Sequence, residues 1–165
     1  MGSIDLEPLT EAALREIVES PAAFAATHGL ALGPHEELLR STARDSREFR
    51  ERAHLVEPWA GYLAVDPATA AIVGTCSFTG PPDADGAVEI AYTTFPAHEG
   101  RGYATAMARR LLLRATESPA VRVVRAHTLP ERNASTRILE RVGFVRAGEA
   151  HDPDAGTVWR WEWRR

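Results

Sequence analysis

Apolar residues recur along the chain with two different periods, a period of two in some segments and a helical spacing in others. The two-residue period predicts strands at 3–9, 59–66, 71–78, 88–95, 121–128, 144–150 and 157–164. The helical spacing predicts helices at 11–19, 34–53, 103–117 and 134–142. The segment 20–33 shows neither period and is predicted to be a loop. Strands alternating with helices over 165 residues predict one α/β domain, at 1–165.

A glycine-rich segment, PAHEGRGYATAMARRLL at 96–112, joins a predicted strand to a predicted helix. In it, Gly100, Gly102 and Ala104 alternate just before the helical pattern begins. The first turn of a helix has N–H groups without intrahelical partners and the positive end of the helix dipole, and small residues let a phosphate approach them. The segment therefore predicts a phosphate-binding loop. A dinucleotide fingerprint is disfavoured, because it needs a third glycine where this chain has Thr105.

Composition and charge exclude several classes of function. The formal net charge is −4, and all 19 basic residues are arginine. An acidic chain is a poor general binder of nucleic acid, and a chain without lysine has neither a GxxxxGK phosphate loop nor a Schiff-base lysine. The histidines show no metal-ligand spacing with cysteine or carboxylates, so we expect no metal.

The sequence also predicts a cytoplasmic protein without a membrane partner. No apolar run approaches the ~20 residues that a membrane helix needs. The N-terminal segment is acidic and lacks the basic and apolar blocks of a signal peptide. The single cysteine, Cys76, permits no internal disulfide and lies in a predicted strand, so we expect it to be a buried structural thiol.

Three segments form a wider pattern, namely EGRGYA at 99–104, the strand end TTFP at 93–96, and AHTLPERNASTRILERVGF at 126–144. Together they resemble the GNAT superfamily of acetyl-CoA-dependent N-acetyltransferases. The resemblance is good over 59–165 and extends to the earlier residues only in the order of elements. It implies a single N-acetyltransferase domain with a mixed, largely antiparallel central sheet flanked by helices.

The resemblance further implies acetyl-CoA as co-substrate and direct attack of a primary amine on the thioester, without a covalent enzyme intermediate. The residues implied to bind CoA are Thr94, Phe95, Glu99, Gly100, Arg101, Gly102, Tyr103, Ala104, Thr105 and Asn133. Glu99 stands where the family usually has Arg or Gln, and Leu139 stands where many relatives have a tyrosine acid. The Asn133-Ala-Ser135 pattern is similar to the branch that includes the N-terminal acetyltransferases of ribosomal proteins.

The chemistry needs a base for the amine and a proton or dipole for the departing thiolate. Glu89 is the candidate base, because it shares a strand face with the small residues Ala91 and Thr93; a solvated charge is the alternative. His127, near a strand end, is a reserve base. Ser135 is the candidate acid, since it lies on the inward face of a predicted helix; the alternative is a helix-start hydroxyl that satisfies backbone groups.

The acceptor and the partners are specified less closely. Charges of both signs are mixed along 34–53, so no single-sign patch is present to steer a strongly basic target. We expect a small-molecule amine or a peptide N-terminus as acceptor. Trp159, Trp161 and Trp163 share one strand face, which favours a core position; an exposed face would suit a homodimer contact or an aromatic-lined acceptor cleft. The alternative functions are a non-catalytic module that binds acyl-CoA or a partner, and a nucleotide-binding module.

Overall fold

The computed structural model describes residues 2–165, which form a seven-stranded sheet with helices on both faces. The strands are β1 (Asp5–Pro8), β2 (Gly61–Asp66), β3 (Ala71–Phe78), β4 (Ala87–Thr94), β5 (Val123–Thr128), β6 (Val145–Asp152) and β7 (Gly156–Arg164). The helices are α1 (Glu11–Glu19), α2 (Pro21–Thr27), α3 (Glu36–Ala53), α4 (Tyr103–Thr116) and α5 (Ala134–Val142). A short 3₁₀ turn at Pro96–His98 joins β4 to the glycine loop.

The strands follow the order β1-β2-β3-β4-β5-β7-β6. All neighbouring strands are antiparallel except β4 and β5, which run parallel. The structure thus confirms the prediction of a mixed, largely antiparallel sheet flanked by helices.

The parallel pair is short, and this opens a gap in the sheet. Within residues 2–165, β4 and β5 pair only over Ala87–Glu89 and Val123–Arg125, so the later part of β4 has no neighbouring strand on that side. On its other side, the Phe95 N–H donates to the Val73 carbonyl oxygen at 2.8 Å. Because successive residues of a strand direct their backbone groups to opposite sides, Thr94 directs its N–H and C=O into the gap.

Two apolar cores lie on opposite faces of the sheet. The first lies under α4 and α5 and contains Leu111 and Leu139. The second lies under α1–α3 and contains Leu14, Leu39 and Leu63. Within residues 2–165, the strands β5, β6 and β7 contribute no side chain to the second core. The face of these three strands on the α1–α3 side is therefore not packed against a helix through an apolar core.

The prediction of a loop over 20–33 is wrong, because α2 forms at Pro21–Thr27. Its start is fixed by the Ser20 hydroxyl, which accepts a hydrogen bond from the Ala23 N–H at 3.1 Å, and by the proline in the first turn. Two residues of α2, Phe24 and Ala25, have buried side chains. A helix of seven residues is too short to show a helical period in the sequence, so the caps are its only local signal.

The tryptophans of β7 belong to the core, as the sequence favours. Trp161 is 2% exposed, and Trp159 and Trp163 pack against the first core from the edge. The Trp161 indole N–H donates to the Thr128 hydroxyl at 3.0 Å and ties β7 to β5. Cys76 is buried as expected, and its burial raises the pKa of the thiol to about 12, which makes it inert. None of the helices within residues 2–165 combines the length and the hydropathy needed to cross a membrane.

Candidate active site

The glycine loop has a backbone that only glycine adopts readily. Gly100 has a φ of 76° and Gly102 a φ of 84°, both in the left-handed region. Gly102 is also the N-cap of α4, and it has no side chain to accept a hydrogen bond from the first turn. The N–H groups at the start of α4 are thus left to an external acceptor. This geometry, together with the dipole of a 14-residue helix, suits an anion.

A groove of about 680 Å³ runs from this loop along the open edge of β4 to α5. Seven of the residues implied to bind CoA line it: Thr94, Glu99, Gly100, Gly102, Tyr103, Ala104 and Thr105. Ser135, the candidate acid, also lines the groove and is half-buried. The helix start, the strand edge and the hydroxyl that the sequence singles out therefore meet in one place.

Three of the implied CoA-binding residues are not brought into the groove. The Phe95 side chain is buried in the second core, and its N–H is bonded within the sheet. Arg101 is exposed on the loop and does not line the groove. The Asn133 side-chain oxygen caps α5 by accepting from the Thr136 N–H at 3.0 Å. For these residues the CoA-binding role stays a prediction, and the structure supplies a structural role for Phe95 and Asn133.

The groove also contains residues that the sequence does not single out as ligands. Arg141 and Ile138 lie on α5 at helical spacing from Ser135 and line the same wall. That spacing of three is a signal that could have identified them. His98 lies beside the loop, and its burial, with His35 and Arg101 nearby, lowers its pKa below the ordinary 6.5.

Two buried polar atoms face this region without protein partners. The Thr94 hydroxyl oxygen and the His98 Nδ1 have no hydrogen-bond partner within residues 2–165. Buried polar groups are nearly always satisfied, so such atoms beside a groove indicate a ligand or ordered water. The loop itself is braced by Tyr103, whose hydroxyl donates to Asp66 on β2. This hydrogen bond holds the pKa of the Asp66 carboxyl below its usual value.

A second cavity, of about 350 Å³, lies beside the paired part of β4 and β5. Glu89 and His127 line it, with the Glu89 Oε1 2.8 Å from the His127 Nδ1. Their side chains are 39% and 26% exposed, so both remain accessible. The structure therefore replaces an isolated carboxylate by a Glu–His pair, built from residues 38 positions apart.

The second cavity opens on the face opposite to the first core. Val88 and Val124 point into that core, so their neighbours Glu89 and Arg125 point the other way. Along β4, Ala91 and Thr93 share the Glu89 face and are exposed, and they lead from Glu89 toward the gap. The gap thus separates a groove that ends at an uncapped helix start from a cavity with a candidate base.

A buried carboxylate organises the arginines of the second cavity. Glu162 is 7% exposed and accepts hydrogen bonds from Arg125 Nε at 3.1 Å and Arg164 Nη2 at 2.6 Å. The Arg160 Nε lies 3.5 Å from the same carboxylate. Burial alone would raise the pKa of Glu162, but the hydrogen bonds from Arg125 and Arg164 hold it below its ordinary value. In the part of the chain that is described, no three His, Cys, Asp or Glu side chains cluster as metal ligands would.

Comparisons with known proteins agree with this architecture. The profile of a family described as acetyltransferase (GNAT) domain matches residues 4–145. The uncharacterized N-acetyltransferase YjdG of Bacillus subtilis is 32% identical over 74 residues, which cover 45% of this chain and 44% of YjdG. The match therefore spans less than half the length of that relative.

Two solved structures show the same fold over nearly the whole chain. The spermidine/spermine N-acetyltransferase SpeG from Vibrio cholerae has a TM-score of 0.67 at 16% identity, with 98% of this chain and 92% of that chain covered. RimL, a ribosomal L7/L12 alpha-N-protein acetyltransferase solved in complex with coenzyme A, has a TM-score of 0.66 at 15% identity, with 98% and 94% covered. At these identities the likeness concerns the fold alone.

Proposed function

The chain belongs to the GNAT family of acetyltransferases, and we propose on that basis that it transfers an acetyl group from acetyl-CoA to a primary amine. The observation that carries the proposal is the gap between β4 and β5. On one side of the gap lies a groove that ends at an uncapped helix start, and on the other lies the Glu89–His127 pair. An acyl donor held in the groove would meet an amine held in the second cavity.

The residues of the groove fit CoA. The amides over 100–105 and the α4 dipole would hold the pyrophosphate, with Arg141 and His98 flanking it. The backbone groups of Thr94 that face the gap would pair with the pantetheine amides, as an added strand pairs with a sheet edge. The bound CoA thioester supplies an activated acyl group. The unpartnered Thr94 hydroxyl and His98 Nδ1 supply further polar contacts.

The Glu89–His127 pair would remove the amine proton. A protonated amine has no lone pair for attack, so a base must act before or during C–N bond formation. When the His127 Nδ1–H donates a hydrogen bond to the Glu89 carboxylate, the His127 Nε2 is left as the acceptor of the amine proton. The carboxylate then stabilises the imidazolium that forms. The C–S bond then breaks, and the thiolate takes a proton from Ser135 or from water. In this arrangement His127 takes the proton and Glu89 stabilises the charge. Direct proton removal by Glu89 is the alternative within the same pair.

The acceptor is a small amine or a peptide N-terminus. The cavity of about 350 Å³ is at the small end of ligand sites, which fits one amine-bearing group of modest size. The two enzymes of similar fold are named for acceptors of both kinds. SpeG is named for spermidine and spermine, and RimL is named for the α-amino group of a ribosomal protein. The Glu89–His127 pair serves either kind, because it contacts only the amine.

The test is thiol release from acetyl-CoA over a panel of small amines, amino acids and peptides, with CoA and NAD affinities measured separately by calorimetry. We expect CoA to bind, NAD not to bind, and at least one amine to release thiol in proportion to acetylated product. Binding of CoA without thiol release from any acceptor would leave a non-catalytic acyl-CoA-binding module. Binding of NAD in place of CoA would instead support a nucleotide-binding module.

A further inference from the structure

The second cavity has a cationic end as well as a candidate base. Arg125 and Arg160 line it together with Glu89 and His127. The strand register brings them together, since Glu89 lies opposite Arg125 across β4 and β5, and His127 lies opposite Arg160 across β5 and β7. Asp83 also lines the cavity, and its Oδ2 lies 3.7 Å from the Arg125 Nη1. The cavity therefore has a carboxylate–imidazole pair at one end and guanidinium groups next to it.

The Arg160 guanidinium has N–H donors without a close acceptor among residues 2–165. Its Nε lies 3.5 Å from Glu162, and its Nη2 reaches the Ala147 carbonyl oxygen only at 3.5 Å. Both contacts are longer than an ordinary N–H···O bond, and Glu162 is already bonded to Arg125 and Arg164. Three arginines share the Glu162 carboxylate, and Arg125 also lies 3.7 Å from Asp83, so Arg160 is the cavity-lining guanidinium with the weaker ion pairs. An arginine held in place by a buried carboxylate is preorganised for a second, external one.

We propose that the acceptor is an amine that also carries a carboxylate, with its amino group at Glu89–His127 and its carboxylate on Arg160. The inference rests on the proposed acetyl transfer and names the class of acceptor for that same site. The carboxylate has two sources, a free amino acid or an acidic side chain close to a peptide N-terminus. An acceptor with only positive groups, such as a polyamine, would place a second ammonium against Arg160 and is disfavoured.

The test compares pairs of acceptors in which one member carries the carboxylate and the other carries an amide in its place. Alanine is compared with alaninamide, and a C-terminally amidated Ser-Glu peptide with its Ser-Gln counterpart, each with the unmodified protein and with Arg160→Gln and Arg160→Lys. In the unmodified protein, the acidic member of at least one pair should have a kcat/KM about 10- to 100-fold higher, as expected for a charge-assisted hydrogen bond. Arg160→Gln should lower the kcat/KM of the acidic member to about that of the amide member and so remove the preference, and Arg160→Lys should keep part of it.

The control variant is Arg109→Gln, which makes the same change of charge on the exposed face of α4, away from both cavities. It should keep the full preference. Which pair shows the preference distinguishes a free amino acid from an acidic peptide. Equal kcat/KM within both pairs, or a preference that Arg160→Gln leaves intact, overturns the inference while acetyl transfer stands.

A binding measurement keeps the inference separate from turnover. Each acceptor is titrated by calorimetry into the CoA-loaded protein, where no acetyl group is transferred. Tighter binding of the acidic member that is lost in Arg160→Gln supports the carboxylate site even if no thiol is released, in which case only the proposed activity fails. Equal binding of both members in both pairs overturns the inference whatever the thiol assay shows.

Discussion

Replacing Gly100 by alanine should weaken CoA binding through one added methyl group. Gly100 has a φ of +76°, lines the groove, and has no atom within 4 Å of the position where a Cβ would lie. The methyl of Gly100→Ala would therefore meet no protein atom and would occupy space at the loop that we assign to the pyrophosphate. We expect CoA affinity to fall tenfold or more, about 1.4 kcal/mol.

The same substitution also strains the backbone, and this cost can be separated. A non-glycine residue in the left-handed region costs roughly 1–2 kcal/mol, partly offset by the smaller entropy of the unfolded chain. Gly156, at the turn between β6 and β7, has the same φ of +76° and also has no atom within 4 Å of its Cβ position. Gly156→Ala should therefore lose about the same stability, roughly 1 kcal/mol, while its CoA affinity stays unchanged.

Two measurements decide the matter, urea unfolding for stability and calorimetric titration with CoA for affinity. Pantetheine, which has no phosphate, serves as a ligand control whose affinity should be the same for both variants. If Gly100→Ala and Gly156→Ala bind CoA equally well, the amides around Gly100 do not hold its phosphates. If Gly100→Ala weakens pantetheine as much as CoA, the loop has been distorted as a whole and the assignment to the phosphates is wrong.

Three further predictions concern the proton, the pH dependence and the buried carboxylate. Glu89→Gln and His127→Gln should each lower kcat by ~10²-fold with CoA affinity unchanged, and the double variant should be no worse than the single ones in steady-state assays. Because the pKa of His98 lies below 6.5 and a nearby phosphate would raise it, CoA binding should take up a proton. CoA affinity should therefore rise as the pH falls from about 7 to about 5.5, and calorimetry should show a smaller rise for His98→Asn. Glu162→Gln should lower the free energy of unfolding in urea by about 1–3 kcal/mol at neutral pH, since the arginines are partly exposed. Because the pKa of Glu162 is lowered, its contribution is complete above its unfolded value of about 4.5 and is lost as the pH falls through the folded value.

The sequence locates the glycine loop and the helix start at the end of the groove because these determinants are local, and CoA binding there stays a prediction. Gly100, Gly102 and the helical pattern that follows lie within one short segment. A glycine at the start of a helix leaves the N–H groups of the first turn without a side-chain acceptor. The predicted bounds of 71–78 and 134–142 coincide with β3 and α5, because each is a long periodic run between turn or cap residues. The Asn133 side chain is likewise local in its role as the cap of α5, and a contact between Asn133 and CoA stays a prediction.

The loop predicted for 20–33 shows the limit of periodicity as a signal. α2 covers two turns, and its sequence PAAFAAT is apolar at nearly every position, so the buried residues Pro21, Phe24 and Ala25 do not stand out as a periodic pattern. The helix forms because its apolar residues are buried against the second core and because Ser20 caps it. Tertiary packing of Phe24 and the local cap at Ser20 therefore act together in this segment.

The charged residues of the second cavity are brought together by strand register, which explains why the sequence could not show that they lie side by side. Glu89 lies opposite Arg125 in the parallel β4–β5 pair and contacts His127 two residues further along β5, and Arg125 lies opposite Glu162 across β5–β7. A slip of one residue in either pairing would turn these side chains to the other face of the sheet. Trp161 fixes the register of β7 from the opposite face of the sheet. It is packed in the first core, and its indole N–H donates a hydrogen bond to Thr128 of β5. The tryptophan face of β7 thus fixes the position of the second cavity without lining it, since the burial of one face keeps the arginines on the other.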